Sequence, residues 1–151
     1  MKHLKKGFTL IELLVVIGIL SILLAITLIA INPARQFGQA NNTNRRSAVL
    51  QILNSIHQFV AENQGQLPAE VSGLTAGAAT LFNSTNFPNL CSQLMPTYIP
   101  ALPTDPSLNV ANITTCAGTW DTGYDIARDA QNRITVSAPT TDNSAVITVT
   151  R

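Results

Sequence analysis

Between Gly7 and Ile31 the chain is almost wholly apolar, and the run carries one carboxylate, Glu12. The 24 residues from Phe8 to Ile31 make a helix of about 36 Å at roughly 1.5 Å per residue. That covers a hydrocarbon core about 30 Å thick, so the segment is long enough to cross a membrane. An ionised acid inside such a span costs about 3 kcal/mol on insertion scales. A chain that keeps one there is expected to give it a cationic partner. Lys2, Lys5 and Lys6, with His3 among them, precede the span and are the only lysines. Positive flanks stay cytoplasmic, which predicts the N-terminus inside and the C-terminal body outside.

Three readings of the segment compete. A secretory signal has an apolar region of about 7–15 residues and a small-residue cleavage site; this run is longer, and Leu28-Ile29-Ala30 is a poor site. An uncleaved single-pass anchor for an extracytoplasmic binding domain fits length and charge but leaves Glu12 unexplained. Cleavage between Gly7 and Phe8 would turn Phe8 into a new amino terminus, a cation at the membrane face. Glu12 lies four residues on, roughly 6 Å along the helix axis. A neighbouring helix displaced by that distance would bring its own Phe8 amine level with Glu12. At about 4 Å and an effective dielectric near 20 the pair is worth roughly 4 kcal/mol before desolvation.

The sequence Gly7-Phe8-Thr9-Leu10-Ile11-Glu12, behind a short basic leader and ahead of the apolar helix, resembles the class III signal of type IV pilins and pseudopilins. The resemblance implies a prepilin peptidase that cuts after Gly7 and N-methylates Phe8. It implies assembly through Glu12 and Phe8 into a homo-oligomeric helical filament, served by pilus assembly machinery. The subunit would lie in the inner membrane first and in an extracellular pilus afterwards, with uses in adhesion, motility or DNA uptake. A pseudopilin of a type II secretion or competence system shares the sequence features and is the alternative, told apart by whether long surface fibres contain the chain. The implied fold is α+β: a long N-terminal helix, membrane-spanning in its first half and amphipathic in its second, packed on a small C-terminal antiparallel sheet. Gly18, Ser21 and Ala25 share one face of the first half, where small residues allow close helix approach.

The organisation expected is a leader at 1–7, a membrane or fibre-core helix at 8–31, an amphipathic helix at 32–65 and a head at 66–151. Asn32-Pro33 interrupts the apolar run, and a proline there predicts a kink. Val49, Ile52, Leu53, Ile56, Phe59 and Val60 recur at helical spacing, with Arg45, Arg46, Gln51, Asn54 and Gln58 assigned mostly to the opposite side. The polar stretch Arg35–Asn44 reads as a weak part of this helix, and Gly65 as its C-cap. Residues 66–122 read as irregular, rich in turn-forming residues, with one short helix near Ala76–Phe82. Within them, Pro103-Thr104-Asp105-Pro106 resembles a turn common ahead of the sheet in pilin-like heads. Gly123–Arg128, Arg133–Ala138 and Ala145–Thr150 alternate with β-branched residues and predict a three-stranded meander within about 123–150.

Cys91 and Cys116 are the only cysteines. An even count outside the cytoplasm favours a disulfide, which the resemblance supports; two free thiols in a reducing compartment are the alternative. No enzyme is indicated. His57, the one histidine outside the leader, sits on the helix with no nucleophile directed at it. Asp105, Asp121, Asp125 and Asp129 do not match a calcium loop and read as solvated turn acids, so no metal or cofactor is expected. Beyond the span six arginines face seven acids, with Arg45-Arg46 the only basic pair, which gives no direct nucleic-acid site. Asn41, Asn83 and Asn112 stand in Asn-x-Ser/Thr sequons. With all lysines in the leader, lysine isopeptide cross-linking of processed subunits is excluded.

Overall fold

The computed structural model describes residues 7–151. It divides into two units, residues up to Phe37 and Gly38–Arg151. In the first, helix α1 runs Leu10–Ile31 and exposes its apolar side chains along its whole length. Away from its two ends its backbone polar groups pair within the helix, as hydrocarbon demands. The hydroxyls of Ser21 and Thr27 donate back to the carbonyls of Ile17 (2.7 Å) and Leu24 (2.9 Å), so neither is left orphaned. The expected kink at Pro33 is instead a break. Asn32 takes a left-handed conformation (φ 46°), ending α1, and Pro33 becomes the first residue of helix α2, Pro33–Glu62. Proline suits that position because its missing N–H has no partner there in any helix.

The Gly38–Arg151 unit is built on α2. Ala48, Val49, Ile52, Leu53 and Ile56 form one core with the sheet and the intervening segment. The helix ends where Gly65, in a left-handed conformation, donates its N–H to the Val60 carbonyl at 2.9 Å. Short helices α3 (Ala69–Ser72) and α4 (Leu90–Leu94) flank strand β1 (Thr80–Asn83). A single 3₁₀ turn, Pro106–Leu108, precedes β2 (Asp121–Arg128), β3 (Ile134–Ser137) and β4 (Thr148–Thr150). The sheet is antiparallel in the order β1-β2-β3-β4. Thr122, Tyr124 and Ile126 alternate inward on β2, as do Ile134 and Val136 on β3.

Two expectations are corrected here. The segment near Ala76–Phe82 holds no helix; Thr80–Asn83 is an edge strand, pairing Thr80 with Ile126 and Leu81 with Asp125. A run that short between Gly77 and Pro88 cannot offset helix nucleation, whereas the open edge of β2 supplies a ready ladder. The sheet therefore has four strands rather than three. The third expected strand is shorter, entering through one bond from Ala138 N–H to the Ile147 carbonyl (2.9 Å) before β4 begins.

Arg45 is the largest correction. It is not on the solvent side but 2% exposed, and it forms a fork on Asp105, itself 1% exposed (Nε to Oδ2 2.8 Å, Nη2 to Oδ1 3.0 Å). Its Nη1 reaches Asp142 in the β3–β4 connection at 2.7 Å and Asn42 Oδ1 at 3.0 Å. Asn42 in turn exchanges two bonds with the Asp142 backbone (2.7 and 3.0 Å). Gly38 completes this face of α2: a Cβ there would lie 2.7 Å from Asn143 Nδ2 and 2.9 Å from Asp142 Cβ. The supposedly weak polar stretch is thus anchored where the loop crosses it. Asp105 also caps the 3₁₀ turn by accepting from Ser107 N–H at 2.8 Å. Gly123 (φ 74°) lies so close to Asp105 that a Cβ would stand 2.8 Å from that residue's Cβ.

The two carboxyls respond alike. Burial pushes the Asp105 carboxyl up, but the bonds from Arg45 and Ser107 outweigh it and hold it below the ordinary value. The Arg45 bond lowers Asp142, against a smaller effect of desolvation. Tyr124, buried beside them, is pushed up to about 12 by desolvation first and by the Asp105 charge second.

Replacing Arg45→Leu would leave Asp105 buried and unpaired, and is expected to cost about 3–5 kcal/mol in denaturant-unfolding measurements. The depressed carboxyls set the sign of the acid response. Their stabilisation is complete above the ordinary value of 3.8 and is lost as pH falls through their lower folded-state values. Acid unfolding followed by circular dichroism should therefore begin below about pH 4, and Asp142→Asn should remove part of that pH dependence.

Candidate functional site

The residues ahead of α1 define the site. Gly7 and Phe8 lie outside the helix, and Phe8 is 84% exposed. Thr9 is the N-cap, extended at φ −81° and ψ 152°. Glu12, in the first turn, does not stand alone. Its Oε2 accepts from the Thr9 N–H at 2.8 Å and the Thr9 hydroxyl at 2.7 Å, while the Glu12 N–H donates to Thr9 Oγ1 at 3.3 Å. This is a capping box. The Thr-x-x-Glu spacing that signals it is legible in the chain, whereas the sequence expectation gave Glu12 only a cationic partner. Thr9 is therefore the site residue that expectation missed. The basic leader expected at 1–7 lies outside the described residues except for Gly7.

Cys91 on α4 is bonded to Cys116, in the segment ahead of β2. Closing a loop of that size contributes about 3.5 kcal/mol in the chain-entropy model. The four acids considered for calcium do not converge. Asp105 is committed to Arg45, and Asp129 pairs with Arg133 at 2.6 Å. Asp121 and Asp125 share β2, where burial and the Asp121 charge raise the Asp125 carboxyl. Among the described residues no group of three His, Cys, Asp or Glu side chains could hold a metal ion. His57 is half-buried on α2; desolvation, then the charge of Arg151, lower its affinity for a proton. The sequon asparagines are all engaged: Asn41 with the distant Asp142, Asn83 with the turn at Thr85–Asn86, and Asn112 with Thr104 N–H.

Residues 2–28 match the family model of the prokaryotic N-terminal methylation motif. Neither a curated protein nor a solved structure matches the chain. The motif is the class III signal typical of type IV pilins and pseudopilins. The architecture agrees: an apolar N-terminal helix, a second helix packed into a head, and a four-stranded antiparallel sheet form the pilin-like α+β arrangement. The match lies within the N-terminal segment, so what it shows is the methylation motif, carried here by a chain of pilin-like architecture. Leu10–Ile31, the candidate span among the described residues, is long and apolar enough to cross a membrane once.

Proposed function

We propose that this chain is the structural subunit of a type IV pilus or related filament. Prepilin peptidase cuts between Gly7 and Phe8 and methylates the new Phe8 amine. The subunit waits in the inner membrane with its N-terminus inside and its head outside. Pilus assembly machinery then adds it to a homo-oligomeric fibre, with residues 8–31 in the centre, 32–65 leading outward and 66–151 as the head. The observation that carries this reading is Glu12, the sole charge of the apolar segment, standing within the methylation motif.

The driving forces divide in two. Apolar burial is strong but non-directional, so it sets no register between parallel helices. A carboxylate paired with the Phe8 amine of an adjoining copy supplies the register. Because donor and acceptor sit at different heights on each subunit, the contact is head-to-tail and propagates without closing. Removing one partner from an apolar bundle costs more than the pair contributes, so an unmatched subunit is excluded.

Glu12→Ala is expected to be cut normally and to lower surface filament yield by about tenfold or more, as loss of a buried charge partner implies. Electron microscopy and the sheared-fibre fraction would show it, and wild-type yield would count against the pairing. Gly7→Val should leave only the precursor on a gel, because a branched side chain obstructs the extended backbone at the cut. An intact Met1 and an unmethylated Phe8 by mass spectrometry of the wild type would instead indicate an uncleaved anchor.

A further inference from the structure

We propose that Asn112 is the acceptor of an N-linked glycan, added on the outer side of the membrane from an oligosaccharide carried on a lipid diphosphate. The inference rests on the outward placement of the head proposed above and does not depend on polymerisation.

The three sequons of the chain are not equivalent once folded. A sequon presents two side chains together, an amide and a hydroxyl two residues on. Asn41 and Thr43 lie within α2, where residues two apart do not face the same way. The Thr43 hydroxyl is turned back to the Gln39 carbonyl at 3.0 Å, and Asn41 Nδ2 is directed at Asp142. Asn83 is half-buried at the end of β1. Its Oδ1 accepts from the Thr85 and Asn86 N–H groups, and the Ser84 N–H donates to the Trp120 carbonyl at 3.0 Å. That sequon is built into the edge of the sheet. At Asn112 the backbone is extended, because Ile113 exchanges two bonds with Leu102, both at 2.9 Å. Ile113 packs against the core. Asn112 and Thr114 alternate with it, so they share the outward side, and both are exposed.

The Asn112 amide is also chemically available. Its Oδ1 accepts from the Thr104 N–H at 3.3 Å, while its Nδ2 donates to nothing among the described residues. In the transfer a bond forms between Nδ2 and the sugar C1, and Nδ2 gives one proton to the transferase. The C1–O bond to the lipid diphosphate breaks, and the diphosphate leaves with the electron pair. The bond to Thr104 uses the oxygen and survives. Asn112 borders a cavity of about 260 Å³ with Thr104 and with Asn44, Ser47 and Gln51 of α2. Carboxamides and hydroxyls both donate and accept, which is what a polyhydroxylated ring requires. The first sugar is thereby seated against α2.

Mass spectrometry of the full chain purified from its own cells tests the site. The Asn112 peptide should carry the mass of at least one sugar. That mass should be lost completely in Asn112→Gln and Thr114→Val, and kept in Thr114→Ser, Asn41→Gln and Asn83→Gln. Thr114 is exposed and makes no side-chain bond among the described residues, so Thr114→Val removes the acceptor signal without disturbing the fold. The same spectra report the Cys91–Cys116 bond, which forms in an oxidising compartment. A bare Asn112 in a chain with that bond formed, or a sugar confined to Asn41 or Asn83, would overturn the assignment. A bare Asn112 with free thiols would overturn the outward placement on which it rests.

Discussion

The fork between Arg45 and Asp105 is the interaction on which the head depends. Arg45 belongs to α2, Asp105 to the turn ahead of β2, and Asp142, its second partner, to the connection into β4. Three segments far apart in sequence meet at one guanidinium. The apolar core would hold a helix against a sheet in many orientations, because burial has no preferred direction. A planar fork on a carboxylate has one geometry. Asn42 and Gly38, on the same face of α2, admit the Asp142–Asn143 loop to that position.

Two opposite strategies for charge operate along the chain. In the head, a cation is buried between acids that its own fold supplies. In α1, an acid is held by neutral donors from Thr9, and its charge is left to be matched from outside. The first arrangement is complete within one molecule. In the proposed filament the second is finished only by another copy. On that proposal stability and assembly fall to different ionic groups, in units that divide near Phe37.

The long elements were legible in the sequence because their signals are local and repetitive. The apolar span, the face Val49–Ile56 and the alternation of β2 and β3 each repeat at the period of their structure. Features that depend on distant partners were not. Arg45 looks like any surface arginine until Asp105 folds beside it. Asp105 looks like a turn acid for the same reason. Thr80–Asn83 is a strand because β2 offers it an edge, which nothing in those four residues announces. Glu70 likewise gives no sign that its carboxylate accepts the backbone N–H groups of Asn89 and Leu90, both at 2.9 Å, at the start of α4. At the candidate site the failure differed in kind. The Thr9–Glu12 spacing is visible in the chain, but a lone carboxylate in an apolar run points to a cation before it points to a neutral donor three residues away.

The bond between Cys91 and Cys116 encloses the stretch that includes the 3₁₀ turn and the exposed Leu108 and Val110. A protease that nicks this stretch cuts the backbone but leaves the two fragments covalently joined. Both flanks stay joined through sulfur, with α2 on one side and β2–β4 on the other. A head damaged there outside the cell would keep its core strands tethered to the helix that carries them.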